Sequence, residues 1–130
     1  MIEAIATESI LIDSSGWLEY LTDDSKAELF IPYFVSDQRR ILVSPIVIYE
    51  VRKVLLLHQA KRVADDFASQ VDRYELVVLN GAIALEAASL SIQYKLHLAV
   101  ALIYATALSA KAQLITSDAH FKDLQGVTIL

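Results

Sequence analysis

Short apolar runs and longer segments of helical periodicity alternate along this chain. SILID (9–13) is nearly all apolar until its final charge, the pattern of a strand buried on both faces of a parallel sheet. SSGWLEYL then predicts a helix capped by Ser14 or Ser15, and residues 26–36 predict a second. RILVS (40–44) reads as the next strand. Pro45 suits the first turn of the helix that continues through IVIYEVRKVLLLH. A further helix is expected over 60–72, a strand in ELVVLN (75–80), and helices over 82–94 and 99–111. QLITS (113–117) predicts a strand, DAHFKDL a short helix and GVTIL a last strand. Apolar strands alternating with helices predict one α/β domain over 1–130, its parallel sheet covered on both faces. The stretch 45–72 reads as a helix pair inserted between two strands.

Composition narrows the class. The chain has 130 residues, 55% of them hydrophobic, with 3 Gly and 2 Pro, which argues against disorder. A net charge of −5 gives no whole-molecule attraction to nucleic acid, so contact with a polyanion needs local basic groups or bound cations. The absence of cysteine excludes disulfides and thiolate metal sites. MIEAIATESI carries acids where a signal peptide has its basic start, and the apolar run Leu98–Ala110 is too short to span a bilayer. A cytoplasmic protein with no membrane association is expected.

Ligands of open parallel sheets gather at the carboxyl ends of the strands. Asp13 closes the first strand and Asp118 follows the fourth, while Glu50 lies inside a helix between Ile46 and Val54 on one stripe. Each acid has a purely structural reading: Asp118 as a helix cap, Asp13 as acceptor for the next turn, Glu50 paired with Arg52, Lys53 or a distant base. Taken together they suit a different role. Three carboxylates converging on one cleft repel unless a hard cation such as Mg²⁺ or Mn²⁺ neutralises them, the arrangement of a metal-dependent phosphodiesterase.

ILIDSSGWLEYL around Asp13, SPIVIYEVRKVLL around Glu50, KLHLAVALIYATAL, and AQLITSDAHFKDLQGV around Asp118 follow one another in an order and spacing that resembles the PIN-domain ribonucleases, specifically the VapC-type toxins of toxin–antitoxin pairs. The resemblance covers essentially the whole chain. It implies a three-layer α/β/α sandwich and Mg²⁺- or Mn²⁺-dependent endonucleolytic cleavage of RNA. It implies Asp13, Glu50 and Asp118 as catalytic, metal-binding acids, with Ser14 and Thr116 as polar support. It also implies a cognate antitoxin as partner and a homodimer, for which the helices at 14–36 are the expected contact. One position departs from the pattern. The family's further acid lies in a stretch like LADALIYATA, and here that stretch is LAVALIYATA, with Val100 where Asp is expected. An apolar branched side chain offers a cation no lone pair, so impaired cleavage is expected.

Other residues read more plainly. His97 serves as an ordinary helix-entry residue or faces the cleft, and His58 and His120 have no metal-ligand spacing. Trp17 and Leu18 suit core or dimer contacts. The pairs Arg39/Arg40, Arg52/Lys53 and Lys61/Arg62 are solvated faces or steer RNA toward the acids. Two classes follow: an endoribonuclease weakened at position 100, or a catalytically silent PIN-like binding module that sequesters an antitoxin or RNA. A plain structural α/β domain whose acids are caps is the third.

Overall fold

A computed structural model describes residues 8–130. The expectation about the acidic N-terminus rests mostly on residues 1–7, which lie outside the described residues. Five strands, β1 (Glu8–Ile12), β2 (Arg39–Val43), β3 (Glu75–Leu76), β4 (Gln113–Thr116) and β5 (Val127–Ile129), form one sheet in the order β3-β2-β1-β4-β5. Every pairing is parallel, with Ile10 opposite Ile41 on one side and Ile12 opposite Ile115 on the other. β1 is the central strand, and Ile10, Leu11 and Ile12 are all fully buried, as an uninterrupted apolar run requires.

The connections carry α1 (Ser14–Thr22) and α2 (Ala27–Val35) between β1 and β2, and α3 (Pro45–His58) and α4 (Lys61–Val71) between β2 and β3. α5 (Gly81–Tyr94) and α6 (Leu98–Ser109) lead from β3 to β4. The first two crossovers step outward on one side of β1, whereas the third returns across it. Right-handed crossovers therefore put α1–α4 on one face and α5–α6 on the other. The contacts agree: α1 packs on α2 and α3, α3 on α4, and α5 on α6. This is the expected three-layer α/β/α sandwich.

Trp17 is fully buried and fastens the α1–α4 layer, meeting Phe34, Phe67 and Tyr74 edge-on at 4.7, 5.4 and 5.4 Å between ring centroids. Gly16 is required by close approach. A Cβ there would lie 2.6 Å from both Ile12 Cγ2 and Phe30 Cε1, so only glycine lets α1 sit this close to β1 and α2.

Two local expectations are corrected. The strand read over 75–80 is two residues long, although the Val77 N–H still bonds the Val43 carbonyl at 2.9 Å. β3 is the sheet edge, where Val78 and Leu79 are exposed and have no neighbouring strand to extend the ladder. The cap of α1 is Asp13, one residue before the serines expected to cap it: its side chain accepts the Gly16 N–H, while both serines are helical and send their hydroxyls elsewhere.

Candidate active site

Strand order reverses between β1 and β4, because the chain leaves β1 toward β2 and leaves β4 toward β5 on the opposite side. The carboxyl ends of these two strands therefore diverge into the crevice where open α/β sheets hold ligands. Asp13 stands at the end of one and Thr116, Ser117 and Asp118 at the end of the other. The Asp13 N–H still bonds the Ile115 carbonyl at 3.1 Å, so Asp13 is tied to the sheet before the chain turns into α1.

A directed hydrogen-bond chain crosses this crevice. The Ser15 hydroxyl donates to Asp13 Oδ1 at 2.6 Å, and the Gly16 N–H reaches the same oxygen at 3.3 Å. Ser15 Oγ in turn accepts the Ser117 N–H at 3.0 Å and lies 3.2 Å from Thr116 Oγ1. The hydroxyls of Ser15 and Thr116 thus lie against each other, and both act on Asp13. Thr116 Oγ1 accepts the Asp118 N–H at 2.9 Å. Each donor thus points toward Asp13, and chains of this kind polarise their members cooperatively.

Burial nevertheless dominates the charge balance. Asp13 is 2% exposed, and desolvation pushes its carboxyl up from 3.8 to about 6. The hydroxyls of Ser15 and Thr116 and the Gly16 N–H pull it back, while the nearby Asp118 charge adds to the rise. No Lys or Arg forms an ion pair with Asp13, Glu50 or Asp118 among the described residues. Four of the six residues in the basic pairs are engaged elsewhere: Arg39 with Glu8, Arg40 with Glu75, and Arg52 and Lys61 with Asp65. The anticipated pairing of Glu50 with Arg52 or Lys53 does not occur. Lys53 lies over the Tyr49 ring instead.

Glu50 reaches the site through the other serine. Ser14 Oγ donates to Glu50 Oε1 at 2.9 Å, joining α3 to the start of α1. The adjacent serines thus divide the work, Ser14 holding Glu50 and Ser15 holding Asp13 and the end of β4. Asp118 caps the short 3₁₀ turn Ala119–Phe121, and its Oδ1 accepts both the His120 N–H at 2.9 Å and the His120 ring Nδ1 at 2.7 Å. The His120 ring meets that of His97 edge-on, 6.0 Å between centroids. His97 is the residue before α6, so the first turn of α6, which includes Val100, lies beside the Asp118 turn. Val100 is partly buried and packs on the core.

Asp13 and Asp118 are hard oxygen donors close enough for the charge of one to act on the other. Among the described residues, no three of His, Cys, Asp or Glu stand close enough together to hold a metal ion. Such a pair, without a cage, suits Mg²⁺ or Mn²⁺, since Mg²⁺ commonly takes one or two carboxylates and completes its shell with water and substrate phosphate. Of the residues expected from sequence, the strand-end acids share the crevice, Thr116 links them, and Ser14 brings Glu50 to its rim. Sequence reasoning missed Ser15, the junction of the network, and His120. Ser15 carried a signal, a hydroxyl two residues beyond a strand-end Asp. His120 also carried one, two residues beyond an acid in a turn.

Residues 10–127 match the family model of the PIN domain. Among solved structures the chain is similar to a toxin–antitoxin complex from Klebsiella pneumoniae, at 21% identity and TM-score 0.78 over 92% of this chain and 95% of that one. VapBC2 from Rickettsia felis, bound to a DNA fragment from its promoter, is similar at 13% identity and TM-score 0.73, over 94% and 97%. VapC20 from Mycobacterium tuberculosis, a sarcin–ricin loop cleaving toxin, is similar at 16% identity and TM-score 0.67, over 80% and 85%. At these identities the likeness is one of fold. No curated relative matches by sequence.

Proposed function

Because this chain belongs to the PIN-domain family, we propose that it is a toxin-type endoribonuclease whose cleavage of RNA phosphodiester bonds is impaired by Val100. The observation that carries this reading is Asp13: a carboxylate 2% exposed, without a basic partner, facing Asp118 at the switch point of the sheet. A buried acid raised to about 6 costs stability in the ionised form, and such uncompensated groups cluster at functional sites.

Asp13 and Asp118 would hold Mg²⁺ or Mn²⁺, with Glu50 at the rim. The ion, when bound, supplies Lewis acidity at the phosphodiester and lowers the pKa of an attacking water. The chain's own residues do the rest. Ser15 and Gly16 fix one oxygen of Asp13, Thr116 ties the two strand ends at a set separation, and Ser14 keeps Glu50 turned toward α1. Position 100, in the first turn of α6, is where a further acid would complete the set, favoured there by the helix dipole. Val100 leaves that place apolar.

The reading extends to partners. The chain works with a cognate antitoxin, in keeping with the toxin–antitoxin complex among its fold neighbours; a homodimer and a cytoplasmic location belong to the same reading. A second reading, a silent PIN-fold module that sequesters antitoxin or RNA, is favoured by Val100 and by the lack of a three-ligand cluster among the described residues. Incubating the chain and its Asp13→Asn variant with a mixed RNA pool and Mn²⁺, against an EDTA control, separates the two. Slow Mn²⁺-dependent cleavage lost in the variant supports the nuclease. RNA or antitoxin binding with no cleavage at any Mn²⁺ concentration supports the silent module.

A further inference from the structure

His120 does more at this site than close a turn. Its backbone N–H and its ring Nδ1 both reach the same oxygen of Asp118, at 2.9 and 2.7 Å. An ionised carboxylate only accepts, so Nδ1 carries the hydrogen whichever state the ring is in. The Asp118 backbone N–H is separately held by Thr116 Oγ1 at 2.9 Å, which fixes the residue from its other side. Oδ1 is thereby saturated by two donors from one residue, and the other oxygen accepts no hydrogen bond among the described residues.

The ring is itself supported. The His97 ring packs edge-on against it at 6.0 Å and 74°, and the His97 side chain makes no capping bond to α6 that would compete. A line of contact therefore runs from the start of α6 through His97 and His120 to Asp118. Capping the three-residue turn needs only the backbone N–H of His120, which any residue there would supply. The ring bond is additional, and turn formation does not account for it.

We infer that His120 is the positioning residue of this site, clamping Oδ1 of Asp118 from two sides so that Oδ2 is the oxygen offered to a cation. The inference rests on the reading of Asp13 and Asp118 as cation ligands. Residues that orient ligating carboxylates typically contribute about 10–100-fold in metal affinity.

The test is Mn²⁺ binding by the chain, followed by the EPR signal of free Mn²⁺ up to millimolar concentration, for wild type, His120→Ala and His120→Asn. Asn places its amide N–H₂ close to where Nδ1 stands, so it restores the donor without the ring. Circular dichroism checks that each variant is folded. The expected result is binding about 10-fold weaker or more in His120→Ala and close to wild type in His120→Asn. Equal affinity in wild type and the Ala variant overturns the inference alone, as does an Asn variant as weak as Ala. A wild-type chain that takes up no Mn²⁺ overturns the inference together with the cation-binding reading.

Discussion

Replacing Asp13 by Asn should make the metal-free protein more stable, the opposite of what changing a buried, hydrogen-bonded side chain usually does. In the unfolded chain this carboxyl ionises at its ordinary value of 3.8, and in the folded protein at about 6. At about 1.4 kcal/mol for each pH unit, the difference amounts to about 3 kcal/mol held against the ionised form. The sign follows from proton counting. Between roughly pH 4 and 6 the native state binds the proton that the unfolded state has released, so stability falls as pH rises through that window and is flat above it. Asn keeps an acceptor for Ser15 and Gly16 and never ionises. At pH 7.5 in EDTA, Asp13→Asn should therefore unfold about 2–3 kcal/mol less readily. For a domain of this size, that is about 10 °C in Tm. The gain should vanish below pH 4, where both proteins are neutral at this position. The assay is thermal and urea unfolding followed by circular dichroism between pH 4 and 8. A variant that is less stable than wild type at pH 7.5 and shows the same pH dependence would refute the reasoning.

Ser15→Ala removes the donor to Asp13 and the acceptor of the Ser117 N–H together, leaving buried groups unpaired. It should cost about 1–3 kcal/mol and move the pH window of the previous experiment upward, which the same unfolding series measures. Gly16→Ala drives a methyl into Ile12 and Phe30 and should cost about 1–3 kcal/mol, read as a lowered urea midpoint with an unchanged slope. In complex with the proposed antitoxin, the acids should meet a Lys or Arg from the partner, since Coulomb attraction is strongest where water is excluded. A complex structure with the antitoxin on the far face of the sheet would contradict this.

Much of this fold was legible because parallel strands buried on both faces announce themselves. The runs around Ile10–Ile12, Arg39–Val43 and Gln113–Thr116 need no pairing information to be recognised, and Pro45 marks its helix start. β3 was overread because VVL has the composition of a core strand, while only tertiary position tells that it lies at an edge with Val78 exposed. The strand-end acids were found by the same logic that predicted the sheet. The pairings among them were not, since whether Glu50 meets Arg52 or Ser14 depends on how α3 packs against α1, a contact far apart in sequence. Ser15 and His120 escaped for a related reason: each acts on a residue two positions away through side-chain geometry that a one-dimensional pattern does not display.

The central claim, a metal-dependent ribonuclease site left incomplete at one position, is tested most directly by restoring that position. Wild type, Val100→Asp and the double variant Val100→Asp/Asp13→Asn are compared on a mixed RNA pool with Mn²⁺, and the rate of cleavage is measured. Val is a neutral occupant of the first turn of α6, and Asp suits that turn electrostatically, so all three proteins should be folded. The account predicts slow or absent cleavage by wild type, a gain of at least about 10-fold in Val100→Asp, and its loss in the double variant. Cleavage by wild type as fast as by Val100→Asp, with both abolished by Asp13→Asn, would contradict the role given to position 100.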